Sequence, residues 1–341
     1  MAIVRDLIID AYGAFVGKHR GRLYVTVKGG KQAEAPLMHL QRVIVTGRGV
    51  SLSSDVIAAC CREGIPIHFL DSRGRPYAGL YSAGLTGTVL SRREQLAAYL
   101  DERGVSLGRK LAWAKIANQA ALLRYMAKYR KEAAPEQYAL LQSHAERLLA
   151  HHQELEELQG RCIDDLRERL LSVEGRAAHY YWTALQAIVP QEYAWPGRRG
   201  RDAQDAINAA LNYGYGILYA QVERALILAG LDPYAGYVHA DRPGKPSLVY
   251  DFIEPYRVPA VDRVIIGLAN KHVELPLDER QRLKEDARRL LAEHVLARLD
   301  KPERYEGKRV PLRVILQTQA RYLATFLRGD RADYEAFVVR W

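Results

Sequence analysis

Residues 238–257 read VHADRPGKPSLVYDFIEPYR, and the second half of the chain is organised around this stretch. Within twenty residues it holds one imidazole, three carboxylates and three cationic side chains, with three prolines and one glycine between them. Proline and glycine favour tight turns at the protein surface. We therefore predict a loop here that carries chemistry, followed by a short helix.

The end of the stretch predicts two carboxylates on one helix face. Ser247 is expected to cap a helix that begins near Leu248, so that Asp251 and Glu254 lie three residues apart on one side. Pro255 should end or kink that helix. An imidazole with carboxylate oxygens is a ligand set for Mg²⁺ or Mn²⁺, without the thiolates of structural zinc sites. On this stretch alone, a solvated loop with ordinary surface charges remains an alternative.

A further carboxylate falls on an apolar helix face. Residues 161–189 predict an amphipathic helix, because apolar side chains recur at steps of three and four. At about 100° per residue, Glu174 lies near the centre of the apolar stripe. A buried carboxylate must pair with a cation, become protonated or bind a metal. With the later His, Asp and Glu residues in view, we favour a metal site that leaves positions open for substrate over an internal ion pair.

These residues belong to an ordered set of motifs, which are EGRAA at 174–178, DAINAALNYGY at 205–215, His239, SLVYDFIE at 247–254, Tyr256 and Arg257. In order and spacing the set resembles the CRISPR-associated integrase family, the first of the numbered CRISPR-associated proteins. Its members insert new spacers into the CRISPR array. The resemblance covers nearly the whole chain.

The resemblance implies particular roles for individual residues. Glu174, His239 and Glu254 would be the metal ligands, and Asp251 would be a nearby functional acid. Arg242 matches a basic position that contacts DNA in relatives. The resemblance further implies a homodimer and a complex with the small second CRISPR-associated protein, which spaces two integrase dimers along the incoming DNA duplex.

The length of the chain and its hydrophobic periodicity predict an α+β multidomain protein. At 341 residues the chain is long for one core, so two domains are expected. Residues 1–90 show strand alternation and turn residues, which predicts a β-rich domain for scaffolding or dimerisation. Residues 91–341 show helical periodicity, which predicts an all-α catalytic domain.

Charge and composition indicate a soluble protein with a polyanionic partner. The net charge is +10, which favours double-stranded DNA. No stretch has the layout of a signal peptide or of a membrane span, so we expect a cytoplasmic protein that does not contact the membrane. The three cysteines are not spaced as a disulfide framework or a zinc site.

Positive charge is clustered in the first helices of the second half. Residues 91–131 hold ten Lys or Arg against three acids, and a later loop carries further arginines. Such residues suit phosphate contacts, which bind DNA without reading its sequence. The alternative is a pair of helices whose charges only face water. The predicted DNA contacts, besides Arg242, are Arg92, Arg93, Lys115, Arg198 and Arg199.

The primary functional hypothesis is metal-dependent transesterification, in which the 3′-hydroxyl of a DNA fragment attacks a phosphodiester of the CRISPR repeat. The same site acting with water as nucleophile would give endonuclease activity. Two alternatives stay open: a metal-dependent nuclease of branched DNA in repair, and a non-catalytic basic DNA-binding protein in which Glu174 forms an ion pair.

Overall fold

A computed structural model of the chain describes residues 6–28, 30–40, 42–80, 89–200 and 203–341. The N-terminal part is rich in strands and the later part is mainly helical, as the sequence predicts. The predicted domain limits, 1–90 and 91–341, stay predictions, and residues 81–88 beside the boundary lie outside the described ranges.

Within its described residues, the N-terminal part contains two four-stranded sheets and one α-helix. The strand orders are β4-β3-β2-β6 and β1-β5-β7-β8, and the elements are β1 (Asp6–Ile9), β2 (Phe15–His19), β3 (Arg22–Val27), β4 (Gly30–Pro36), β5 (Arg42–Val45), β6 (Ser51–Leu52), α1 (Ser54–Arg62), β7 (Ile67–Leu70) and β8 (Pro76–Leu80). Arg20 and Gly21 form the β2–β3 turn, and both have positive φ. Such mirror-image turns match the twist of a two-residue hairpin. Leu23 and Val25 then point inward together, because their spacing of two places them on one face of β3.

The later part is built from nine helices within its described residues, together with one short hairpin. They are α2 (Val89–Ala98), α3 (Glu102–Lys128), α4 (Pro135–Glu157), α5 (Arg167–Gln186), α6 (Ala206–Leu228), α7 (Ser247–Arg257), α8 (Arg263–Ala269), α9 (Glu285–Asp300), β9 (Pro302–Tyr305), β10 (Lys308–Pro311) and α10 (Leu312–Leu327). Asp101 and Asp205 cap α3 and α6 by accepting hydrogen bonds from the backbone nitrogens of Arg103 and Asn208. None of the described helices combines the length and the apolar composition needed to cross a lipid bilayer.

The hairpin β9–β10 corrects the prediction of an all-α second domain. Pro302 follows α9 and cannot continue it as a helix, because a proline nitrogen has no hydrogen to donate. Glu306 and Gly307 then adopt positive φ and turn the chain back. The strands pair antiparallel over four residues each. The helical texture of the surrounding sequence concealed this short element.

Pro255 does not end α7, which corrects one of the two predicted outcomes; a kink at this proline stays a prediction. The helix continues to Arg257 and passes into a π-helical segment, Val258–Asp262, and then into α8. A wider turn of this kind accommodates a residue that cannot donate a helical hydrogen bond. The side-chain amide of Asn118 on α3 donates to the carbonyl oxygen of Pro255 at 2.7 Å, and so stabilises the irregular turn from outside.

The two parts meet through a close backbone approach and a buried charge cluster. A Cβ atom at Gly216 on α6 would lie 1.3 Å from the carbonyl oxygen of Gly74, so only glycine fits there. Nearby, the carboxylate of Asp6 pairs with Arg42 of β5 at 2.6 Å and with Arg313 of α10 at 3.6 Å. The approach of Gly74 to Gly216 brings the loop after β7 against α6, and the pairing of Asp6 with Arg313 joins β1 to α10.

Candidate functional site

The carboxylate of Asp251 organises the loop that carries His239. Asp251 Oδ2 accepts hydrogen bonds from the backbone nitrogens of Tyr237 at 2.6 Å and Val238 at 3.1 Å. Its Oδ1 accepts from the backbone nitrogen of His239 at 2.9 Å and lies 2.6 Å from Nδ1 of the imidazole. Because Nδ1 carries the hydrogen in this contact, Nε2 of the neutral ring keeps its lone pair for a ligand or a proton.

His239 lies within electrostatic reach of both site glutamates. Burial lowers the pKa of the imidazole, but the hydrogen bond to Asp251 and the charges of Asp251, Glu254 and Glu174 raise it by more. The net pKa therefore lies above the ordinary value for histidine. The ring remains 35% exposed, so a substrate can approach it.

Helix α7 places Asp251 and Glu254 one turn apart, as the spacing predicts. The predicted cap is wrong: Ser247 is the first helical residue, and its hydroxyl donates at 3.4 Å to the carbonyl oxygen of Ala240 in the loop. The hydroxyl thus donates to the loop, and α7 begins without a side-chain cap hydrogen bond. The loop before α7 is therefore bonded to that helix at two points, through Asp251 and through Ser247.

Glu174 lies on α5 with only 8% of its surface exposed, as its position in the apolar stripe predicts. Its Oε2 accepts a hydrogen bond from Nζ of Lys115 at 3.1 Å. The same Nζ lies 3.0 Å from Oε2 of Glu254. One ammonium group of α3 thus joins carboxylates that reach it from α5 and α7.

Glu254 is held by two cations, one at each oxygen. Its Oε1 lies 3.2 Å from Nη2 of Arg257, and its Oε2 faces Lys115. Burial alone would raise the pKa of this carboxyl, but Arg257, Lys115 and His239 together lower it to about 2. Glu254 is therefore ionised at neutral pH despite being 5% exposed.

The donor set fits a hard divalent cation, although the side chains are arranged around an ammonium. Among the residues that the structure describes, no three His, Cys, Asp or Glu side chains are close enough to hold a metal ion as they stand. Glu254 Oε2 is nonetheless buried without a well-directed hydrogen bond. With Glu174 and Nε2 of His239, it provides the oxygen and nitrogen ligands that Mg²⁺ and Mn²⁺ accept.

The predicted DNA contacts divide into exposed and internally engaged side chains. Arg92, Arg93, Arg199 and Arg242 are exposed. Arg198 instead lies over the rings of Trp182 and Tyr215 and donates to Asn208 and Asn212. Lys115 is engaged by the two glutamates, so the prediction of a surface phosphate contact does not describe its position. The sequence predicts both as phosphate contacts because Lys115 falls in the basic segment 91–131 and Arg198 in a loop with further arginines.

Lys115 in the site was missed by sequence reasoning, although a signal for it exists. Gly104, Gly108 and Leu111 are buried on α3, and Lys115 follows them at the same helical spacing of three and four. A cation on an apolar stripe requires a buried partner, by the argument that singled out Glu174. The same argument applied to α3 and α5 predicts that Lys115 and Glu174 are partners.

A second buried network supports the site from behind. The hydroxyls of Tyr181 on α5 and Tyr215 on α6 both donate to the carboxylate of Asp262. Arg257 lies over the ring of Tyr215, 4.8 Å from its centre. Burial raises the pKa of Asp262, while the two hydroxyls and nearby arginines lower it by less. The π-helical segment, which ends at Asp262, is thereby tied to the arginine that holds Glu254.

A cleft of about 1020 Å³ opens beside the site. It runs between residues 71–79 of the strand-rich part and helix α6, and Tyr250 and Arg257 of α7 also line it. Aromatic rings and cationic side chains together suit a nucleic-acid strand, because rings stack on bases and cations contact phosphates. The cationic lining residues are Arg73, Arg75, Arg198, Lys245, Arg257, Arg280 and Arg282.

Fold and site together define a two-part α+β chain whose helical part carries a carboxylate–histidine centre beside a cationic cleft. A family model described as "CRISPR associated protein Cas1" matches residues 7–296. CRISPR-associated endonuclease Cas1 1 of Archaeoglobus fulgidus is 39% identical over 346 aligned residues, which cover 98% of this chain and 99% of the relative. A relative of the same name from Francisella tularensis subsp. novicida is 33% identical, covering 99% and 100%. The chain belongs to the Cas1 family, as its motifs indicate.

Solved structures agree on the fold. A casposase bound to integration product matches with a TM-score of 0.82 and 22% identity, over 97% of this chain and 93% of that one. A Cas1 protein from Thermotoga maritima matches with a TM-score of 0.78 and 18% identity, over 99% and 100%. Both likenesses extend over the strand-rich part and the helical part.

Proposed function

We propose that this protein is the DNA integrase of CRISPR spacer acquisition and that it joins the 3′-hydroxyl ends of a DNA fragment to the CRISPR repeat. Family membership supports this, and relatives are named endonucleases. The observation that carries the proposal is that Glu174 and Glu254 meet at Lys115 from two helices, within electrostatic reach of His239, which Asp251 orients. Such an arrangement supplies the ligands for metal-assisted phosphodiester chemistry.

Glu174, Glu254 and Nε2 of His239 would hold Mg²⁺ or Mn²⁺. When bound, the ion would polarise the phosphate and lower the pKa of the attacking hydroxyl. Asp251 keeps the hydrogen of His239 on Nδ1, so that Nε2 points away with its lone pair. Arg257 neutralises part of the charge of Glu254 and is fixed by the ring of Tyr215. No covalent protein intermediate is required.

DNA would reach the site along the cationic cleft. The net charge of +10 and the exposed Arg92, Arg93, Arg199 and Arg242 support contacts to phosphates. The similar casposase was solved with an integration product, which is the class of DNA that we propose here. Mutation of these exposed arginines should weaken binding of all DNA sequences alike and reduce its salt dependence.

Partners follow from the family. A chain of a solved Cas6-RT-Cas1–Cas2 complex has the same fold in part, because the match covers 99% of this chain and 37% of that one, at a TM-score of 0.78 and 19% identity. We propose that this protein forms a homodimer and assembles with the small second CRISPR-associated protein, Cas2. Cytoplasmic location remains a prediction from the sequence.

A strand-transfer assay tests the proposal. A labelled duplex with free 3′ ends is incubated with a supercoiled plasmid that carries a CRISPR repeat, with and without Mn²⁺ and with the small partner protein. Metal-dependent joining is expected, and Glu174→Ala, His239→Ala and Glu254→Ala should abolish it while DNA binding survives. Glu335→Ala, which removes an exposed acid outside the site, is the matched control and should still join DNA.

Other outcomes assign the other functions. Metal-dependent cutting of branched DNA without joining would favour a repair nuclease if the same variants lose it. The relatives are named endonucleases, which supports hydrolysis at this site as a second activity. Metal-independent binding with no product on any DNA would leave a non-catalytic binding protein. Full integration by Glu174→Ala would refute the site assignment itself.

A further inference from the structure

We infer that Lys115 is a built-in counter-cation that competes with the divalent ion for Glu174 and Glu254, and so sets the affinity of the site for metal. This inference rests on the proposed function, since it concerns the same carboxylates. It assigns a positioning role to a residue of α3 that the motifs of the chain do not include.

The first observation is that one ammonium occupies an oxygen of both glutamates. Nζ of Lys115 lies 3.1 Å from Glu174 Oε2 and 3.0 Å from Glu254 Oε2. Oxygen ligands approach Mg²⁺ at about 2.1 Å. An ion bound to those two oxygens would therefore lie against the ammonium, in contact with a like charge. The ammonium and the ion cannot share both oxygens.

The second observation is that Glu254 has no spare oxygen. Its other oxygen faces Arg257 at 3.2 Å, so an ion bound at either oxygen would lie beside a like charge unless one of the two cations moves. Arg257 is fixed, because its guanidinium lies over the ring of Tyr215. Lys115 ends in a compact charge on a flexible four-carbon stem and lies between both glutamates, whereas Arg257 is paired with Glu254 alone, so an ion that binds both carboxylates takes the place of Lys115. Lys115 is therefore the cation that leaves.

The third observation is that the ammonium has a route out. The side chain of Lys115 is 18% exposed, whereas those of the two glutamates are 9% and 7% exposed. Displaced from the carboxylates, the charged end can turn toward solvent while its stem stays packed. Without metal, the ammonium of Lys115 neutralises the two buried carboxylates. With metal bound, the ion neutralises them instead.

Isothermal titration of the full-length protein with MnCl₂, in the absence of DNA, tests the inference. Lys115→Gln keeps a polar side chain of similar length but removes the charge, and it should bind Mn²⁺ at least tenfold more tightly than the wild type. Lys115→Arg, which keeps the charge, should not. Lys110→Gln is the matched control on the same helix, because Lys110 also pairs with two carboxylates, Asp333 and Glu335, away from the site. Its affinity for Mn²⁺ should equal that of the wild type.

A measurement on the wild type covers the case in which Lys115→Gln fails to fold. Labelling with an amine-reactive reagent, followed by mass spectrometry, should show that Mn²⁺ increases modification of Lys115 and leaves Lys110 unchanged. Equal or weaker Mn²⁺ binding by a folded Lys115→Gln, or unchanged labelling of Lys115 when Mn²⁺ binds, would overturn the inference. Tighter binding by Lys115→Gln where the wild type binds no Mn²⁺ would support it.

The two proposals fail in different ways. If the wild type joins DNA in a metal-dependent reaction but Lys115→Gln binds Mn²⁺ no more tightly, the competition is wrong and the integrase proposal stands. If neither protein binds Mn²⁺ and the wild type yields no product, the metal-dependent function is wrong and the inference falls with it.

Discussion

Replacing Asp251 by Asn changes one acceptor oxygen into a donor and should loosen the loop that carries His239. Each oxygen of Asp251 faces two donors: the backbone nitrogens of Tyr237 and Val238 on one side, and the backbone nitrogen and ring Nδ1 of His239 on the other. With the hydrogen of the imidazole on Nδ1, the NH₂ group meets two N–H groups whichever way the amide turns. Two hydrogen bonds to a charged acceptor are lost.

The magnitude follows from these contacts. A hydrogen bond to a charged group contributes about 1.5–3 kcal/mol, so losing two lowers the free energy of opening the loop by at least about 3 kcal/mol. That energy corresponds to about a hundredfold change in the opening equilibrium. Because Asp251 is buried, water does not replace the lost bonds in the closed loop.

Hydrogen exchange with mass spectrometry measures this opening directly. In Asp251→Asn, the backbone amides of residues 237–239 should exchange about a hundredfold faster at neutral pH, while those of α10 keep their protection and exclude global unfolding. Asp232→Asn is the matched control, because Asp232 accepts one bond from Tyr234 on an exposed turn of the same segment. Exchange of residues 237–239 accelerated less than about fivefold would refute the role given to Asp251.

Three further predictions concern titration and packing. The raised pKa of His239 means that protonation of its ring stabilises the metal-free fold at low pH, and this stability is lost as the pH rises through the folded-state pKa. The affinity for Mn²⁺ should rise over the same pH interval, because only the neutral ring is a ligand. An affinity for Mn²⁺ that calorimetry finds independent of pH would contradict this. Tyr215→Phe removes the hydroxyl that donates to buried Asp262 and should destabilise the protein by about 1–3 kcal/mol. Thermal unfolding should show a lower melting temperature. An unchanged melting temperature would show that the hydroxyl is dispensable. Gly216→Ala should destabilise the protein by at least about 1–3 kcal/mol, because the added Cβ clashes with the backbone of Gly74. Gly175→Ala should stabilise it by about 0.5–1 kcal/mol, because nothing lies within 4 Å of a Cβ there and alanine favours a helix. Similar melting temperatures for the two variants would refute the packing argument.

The sequence allowed two glutamates of the site to be predicted, because local spacing determines which face of a helix a side chain occupies. Glu174 interrupts an apolar stripe of α5, and Glu254 follows Asp251 by three residues on α7. The change from a strand-rich to a helical part and the family membership were likewise predictable from short-range patterns. The hairpin β9–β10 was not, because four-residue strands carry too little periodicity to stand out from a helical surrounding.

What each side chain faces was decided only by tertiary structure. Lys115 was assigned to DNA because a lysine in a basic block has two explanations, a phosphate or a buried carboxylate, and sequence periodicity cannot choose between them. The packing of α3 against α5 and α7 makes that choice, since it brings one ammonium within 3.1 Å of an oxygen of both glutamates. Helical periodicity depends on neighbours three and four residues away, whereas these partners are 59 and 139 residues distant in the chain.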